Sequence, residues 1–196
     1  QVTGKFGFTA KADVSQAGEN GNVKFPGVST TIQIASKADI QVEKTCTEVK
    51  EDADGNRTAY FKVVVSTGTR TGTPLTIVDQ ITNWKGANLT GSYIQDSLKV
   101  YGPDADTDEI TAPYTTEFTN NSSGFPQFTI TGLPELVQGQ TYTVVYAVEL
   151  GDNFNNQGYG KFHNYVYAQS GETKGEANFE KTWNNLIVKN GTYDEK

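Results

Sequence analysis

Methionine is absent from this 196-residue chain, cysteine and histidine occur once each, and no apolar run approaches the length of a membrane span. The single cysteine, Cys46, excludes an intrachain disulfide and a multi-cysteine metal site. The single histidine, His163, leaves a hydrolytic triad or a zinc centre short of its parts. Basic residues are scattered, with 16 Lys and Arg against 23 Asp and Glu and a net charge of −7. That excludes the clustered cationic face a phosphate backbone requires. Long Leu/Ala/Glu/Lys stretches of helical character are missing too. Neither a signal peptide nor a hydrophobic C-terminal anchor is seen, and with Gln1 leading the sequence the expectation is a processed chain or an excised piece.

What is present is strand-forming. Thr, Val, Tyr and Phe are abundant, 20 glycines punctuate the chain, and 35% of residues are hydrophobic, enough for a core. Strand-like runs extend over Ile40 to Cys46, Ala59 to Ser66, Leu75 to Ile81, Tyr93 to Tyr101, Gln127 to Thr131, Thr141 to Leu150 and Lys161 to Gln169. Seven such runs predict an all-β, immunoglobulin-like sandwich. Asp54-Gly55-Asn56 predicts a hairpin turn between the first two, and Gly102 to Asn121, acidic and Thr-rich, reads as a long loop with one short strand. Three regions follow. Residues 1–37 carry further alternating pieces, Lys5 to Ala12 and Val28 to Ala35, and read as flanking strands or the tail of a preceding module. Residues 38–172 form the sandwich. Residues 173–196 read as an extension or the start of a following module, because Phe179-Glu180-Lys181-Thr182-Trp183 echoes Val42-Glu43-Lys44-Thr45-Cys46.

Three polar residues break apolar rows. Period-two alternation puts Lys44 between Ile40, Val42 and Cys46, puts Asp79 between Leu75, Ile77 and Ile81, and puts Asn164 with Phe162, Val166 and Ala168. The same alternation turns His163 to the outer face, away from Cys46, which reads as a small core residue. A buried ammonium must be paired, neutralised or chemically consumed. One reading is a buried salt bridge with Asn164 completing its hydrogen bonds, although such groups often add no net stability. The other is covalent. Apolar surroundings favour the neutral amine of a lysine and the neutral acid of a carboxyl. Lys44 would attack the Asn164 side-chain carbonyl while Asp79 donates to that carbonyl and passes a proton to the departing ammonia.

The order of these residues resembles the CnaA-type (fimbrial D2-like) isopeptide domains of Gram-positive pilins and adhesins. Lys44 lies in a first strand, Ala38 to Thr45; Asp79 ends a Thr-Ile-Val-Asp run; Asn164 opens Asn-Tyr-Val-Tyr-Ala. Thr58 to Val65 is similar to the family's second strand and Gly139 to Tyr146 to its penultimate one, so the likeness covers roughly residues 38 to 170. It implies a Lys44–Asn164 isopeptide bond with Asp79 as catalyst, a structural rather than enzymatic role, and a place on the bacterial cell surface, in the wall or a pilus. No Leu-Pro-x-Thr-Gly sorting motif or pilin motif is found. Expected partners are neighbouring modules or subunits, or a host extracellular protein or glycan; nucleic acid and membrane insertion are not expected.

Other features favour plainer readings. Asp104, Asp106 and Asp108, and likewise Asp52, Asp54 and Asn56, alternate as calcium ligands do, yet neither run continues to the Gly and distal Glu of an EF-hand, so solvated acidic loops are expected and no cofactor. Trp84, Tyr165 and Tyr167 offer aromatic surface for a sugar or protein, with cross-strand packing the simpler expectation.

Overall fold

The computed structural model describes residues 22–24, 31–33, 39–104, 107–111, 113–151 and 159–184. Two short strands, β1 (Asn22–Lys24) and β2 (Thr31–Gln33), form an antiparallel ladder of their own. The remaining strands are β3 (Ile40–Glu51), β4 (Arg57–Thr67), β5 (Leu75–Thr82), β6 (Gly91–Tyr101), β7 (Glu109–Ile110), β8 (Thr115–Asn120), β9 (Pro126–Leu133), β10 (Thr141–Leu150), β11 (Tyr159–Ser170) and β12 (Thr173–Asn184). They make two five-stranded antiparallel sheets, ordered β3-β4-β10-β6-β7 and β12-β11-β5-β9-β8. This is an immunoglobulin-like β-sandwich. Helical structure among the described residues is one short 3-10 turn, Trp84–Gly86.

Alternation decides the core. β4 turns Ala59, Phe61, Val63 and Val65 inward, and β10 answers with Tyr142, Val144, Tyr146, Val148 and Leu150, all buried. Opposite them β5 and β11 contribute Leu75, Ile77, Ile81, Phe162, Val166 and Ala168. Burying a large apolar side chain of this kind contributes roughly 1.5–3 kcal/mol. In β3 the pairing with β4 slips between Cys46 and Glu48, a bulge that returns Val49 to the core side after Ile40, Val42, Lys44 and Cys46. The hairpin between β3 and β4 closes at Gly55, whose φ of 85° suits glycine, while the Asp52 carboxylate accepts the backbone N–H groups of Asp54 and Asn56 at 2.9 Å each.

Two expectations change. The segment after Gly102 carries two strands, β7 and β8, each closing an edge of its sheet. Residues 173–184, expected outside the sandwich, form β12, which pairs with β11 along its whole length from Ser170↔Thr173 to Tyr159↔Asn184. Its Ala177, Phe179 and Trp183 pack on the common core, so the sandwich runs past the expected boundary at 172. Within residues 1–37, Thr31–Gln33 falls in the expected piece from Val28 to Ala35, and Lys5 to Ala12 lies outside the described residues.

Candidate functional site

Lys44, Asp79 and Asn164 meet between the sheets. Lys44 stands opposite Val63 on β3, Asp79 opposite Val166 and Phe128 on β5, and Asn164 opposite Ile81 and Phe179 on β11. The side chains of Lys44 and Asp79 have no exposure to solvent, and Asn164 is equally buried. Lys44 belongs to an edge strand, so its backbone keeps some exposure while its Nζ reaches inward beneath the rings of Phe61 and Tyr146, 5.1 Å from each centroid. There Nζ contacts Asp79 Oδ2 and donates to the Tyr146 hydroxyl.

The amide of Asn164 has a determined orientation. Its Nδ2 donates to the Gln80 backbone carbonyl at 2.9 Å and to Asp79 Oδ1 at 2.6 Å, and the Gln80 oxygen can only accept. Its Oδ1 therefore faces the Tyr146 hydroxyl, 2.9 Å away. Tyr146 also lies 2.7 Å from Asp79 Oδ2, and the Tyr93 hydroxyl donates to Asp79 Oδ1 at 2.7 Å. This corrects the expected geometry in one respect: Asp79 addresses both nitrogens, and the group at the Asn164 carbonyl oxygen is Tyr146.

Burial sets the proton affinities. Desolvation lowers the Lys44 pKa, opposed by the charge and hydrogen bond of Asp79. Burial first, and the nearby Asp79 charge second, push the phenols of Tyr93 and Tyr146 well above their usual range, so both remain hydroxyl donors. Chemically, the cluster sets an amine, an amide carbonyl, a two-ended proton carrier and a hydroxyl donor in a site closed to water.

Tyr146 and Tyr93 were not singled out by the sequence, because tyrosine does not break an apolar row. The available signal was the alternation that turns Tyr146 inward, where a phenol needs a polar partner. His163 does lie on the outer face, yet it is buried: it bonds to Thr82 Oγ1 and, at 3.0 Å, to Asn178 Oδ1, and the Trp84 ring lies 4.9 Å away. Trp84 itself is 47% exposed, with the Lys85 ammonium 3.9 Å from its ring. Tyr165 and Tyr167, two apart on one face of β11, have ring centroids 5.9 Å apart, a contact within a strand rather than across strands.

The acidic runs do not gather a cation site among the described residues, where no three His, Cys, Asp or Glu side chains cluster. Asp104 accepts from Gln140 at 2.8 Å, Asp106 lies outside the described residues, and Asp108 is exposed. Asp52 is engaged in its turn, where Asn56 lowers its pKa by hydrogen bonding. Among the described residues no helix is long and apolar enough to cross a membrane.

No family model and no curated protein matches the sequence. Among solved structures, the chain is similar to the N-terminal domain of the Streptococcus gordonii adhesin Sgo0707, with 14% identity, 80% of this chain and 34% of that one covered, and a TM-score of 0.48. It is similar to the RrgA Jo.In complex at 13% identity, with 74% and 79% covered and a TM-score of 0.46. It is similar, too, to the full-length major pilin SpaD of Corynebacterium diphtheriae at 15% identity, with 73% and 34% covered and a TM-score of 0.45.

Proposed function

We propose that this chain is a structural module of a Gram-positive surface adhesin or pilus, locked by an autocatalytic isopeptide bond from Lys44 Nζ to Asn164 Cγ. The observation that carries the reading is the meeting of three wholly buried polar side chains, each from a different strand and each breaking an apolar row. A fixed amine beside an unactivated amide has the proximity that reaction in water would lack. Nζ replaces Nδ2 on Cγ, one ammonia leaves, and the buried charge of Lys44 is removed. The reaction occurs once per molecule, so the module is not a turnover enzyme. Asp79, in contact with both nitrogens, moves the protons.

The module comprises Ile40 to Asn184, is extracellular, and has adjoining modules or subunits of the surface protein as its partners. By analogy with a disulfide, a crosslink closing a loop of about 100 residues contributes ~4.7 kcal/mol through the unfolded state. Intact-protein mass spectrometry tests it. The wild type should be lighter than its sequence mass by one ammonia, and Lys44→Ala and Asp79→Ala should carry the full mass. A wild type at full mass leaves only a buried polar triad.

A further inference from the structure

We infer that Tyr146 is a catalytic residue of crosslink formation, its hydroxyl being the donor that stabilises the oxyanion formed on Asn164 Oδ1. This deepens the isopeptide reading and rests on it. Three distances carry the assignment. Tyr146 Oη is 2.9 Å from Oδ1, whereas the two nearest acceptors of the amide nitrogen, Asp79 Oδ1 at 2.6 Å and Gln80 O at 2.9 Å, lie on the other side of the amide. Asp79 thus spans the two nitrogens and leaves the carbonyl to another donor. Packing and hydrogen bonding hold Tyr146 in place. Its ring stacks on Phe61 at 5.4 Å and meets Phe128 edge-on at 5.0 Å, and Nζ of Lys44 donates to its oxygen. Its hydroxyl proton has two acceptors within reach, Asp79 Oδ2 at 2.7 Å and Asn164 Oδ1. When the proton from Lys44 sits on Oδ2, the Tyr146 proton turns to Oδ1.

The steps balance. Lys44 gives one proton to Asp79 and becomes the free amine. Its lone pair adds to Asn164 Cγ, and the carbonyl electrons move to Oδ1, where the Tyr146 O–H holds them. Asp79 delivers its proton to Nδ2 and takes a second from Nζ; the Cγ–Nδ2 bond breaks, the carbonyl re-forms, and ammonia departs with Asp79 left as the neutral acid. Tyr146 donates throughout without losing its proton, consistent with a phenol whose pKa burial has raised. A donor pre-aimed at a developing oxyanion in a dry site is worth about 10²–10³ in rate.

The test is a time course. The full chain is made by cell-free translation, chased, quenched in denaturant at successive times and read by intact mass for the loss of one ammonia. Tyr146→Phe, which keeps the ring packing, should slow that loss by roughly 10²-fold. Tyr93→Phe removes a hydroxyl from the same cluster without touching the carbonyl and should slow it less. Should Tyr146→Phe fold poorly by circular dichroism, 3-fluorotyrosine at position 146 keeps shape and strengthens the donor, and should accelerate the loss. A Tyr146→Phe rate equal to wild type, a Tyr93→Phe rate as slow as that of Tyr146→Phe, or a fluorotyrosine rate unchanged from wild type overturns the role of Tyr146 alone. A wild type that keeps its full mass at every time overturns the crosslink itself, and this role with it.

Discussion

Gly175 on β12 lies against the backbone of Ile40 on β3, so closely that a methyl group at Gly175 would fall 2.0 Å from the Ile40 carbonyl oxygen. These strands are the facing edges of the two sheets, and their order matches again further along, where the charge of Lys181 reaches the Cys46 thiol. The edge of the sandwich beside Lys44 is therefore closed by a backbone-to-backbone approach that only glycine permits. Gly175→Ala should push β12 away, lower stability by ~1–3 kcal/mol and speed amide exchange in β12 ahead of β4 and β10. Denaturant midpoints with hydrogen-exchange mass spectrometry read both effects.

Removing the lysine alone should be worse than removing the pair. Lys44→Met abolishes the crosslink and leaves Asp79 buried beside neither the ammonium of the unreacted chain nor the new amide, a defect of about 3–5 kcal/mol relative to the unreacted ion pair. Lys44→Met/Asp79→Asn also lacks the crosslink but carries no buried charge. Urea unfolding should find the double variant more stable than the single one; the reverse order would mean Asp79 is satisfied without Lys44.

His163 gives the module a pH dependence of definite sign. Its Nε2–H donates to Asn178 Oδ1 and its Nδ1 accepts from the Thr82 hydroxyl, the neutral tautomer, and burial holds its pKa below the ordinary value despite Glu180 nearby. The unfolded chain therefore takes up the proton first. Stability should fall as pH drops through about 6.5, until the folded-state pKa is reached. Melting temperatures between about pH 7.5 and about pH 5 should decline less in His163→Gln than in the parent over that interval.

Under tension the proposed bond joins β3 to β11 and spares the strands between. β12 follows Asn164 and lies outside that bypass. Single-molecule pulling on the two ends of the chain should release, within the sandwich, only the stretches outside the closed loop, the start of β3 before Lys44 and the roughly 20 residues after Asn164, at about 3.4 Å each. Lys44→Ala should release the whole sandwich. A full-length release in the wild type would show that the load is not carried by the crosslink.

The sandwich was legible because alternation marks strands whose two faces meet core and solvent. Thr141 to Leu150 coincides with β10, and the other six runs gain residues at their ends, where hydrogen bonding continues past the apolar pattern. β7 and β8 were hidden by brevity and by their half-exposed faces. β12 reads as a strand in the sequence, but periodicity cannot name its partner, and the echo of the Lys44 segment pointed to a new module. Lys44, Asp79 and Asn164 were visible as polar intruders; Tyr93 and Tyr146 were not, since their rings obey the pattern and only their hydroxyls carry the chemistry. The burial of His163 depends on the turn at Trp84, a contact that no alternation encodes.

The nearness of Gly175 to Ile40 also fixes how the backbone threads the sandwich. β3 starts at the end where β12 starts, and the two run in the same direction, so β12, the last strand among the described residues, leaves from the opposite pole. Twelve residues at about 3.4 Å place that exit ~40 Å away. Copies joined through such poles would line up along one axis, each adding its own length to a rod.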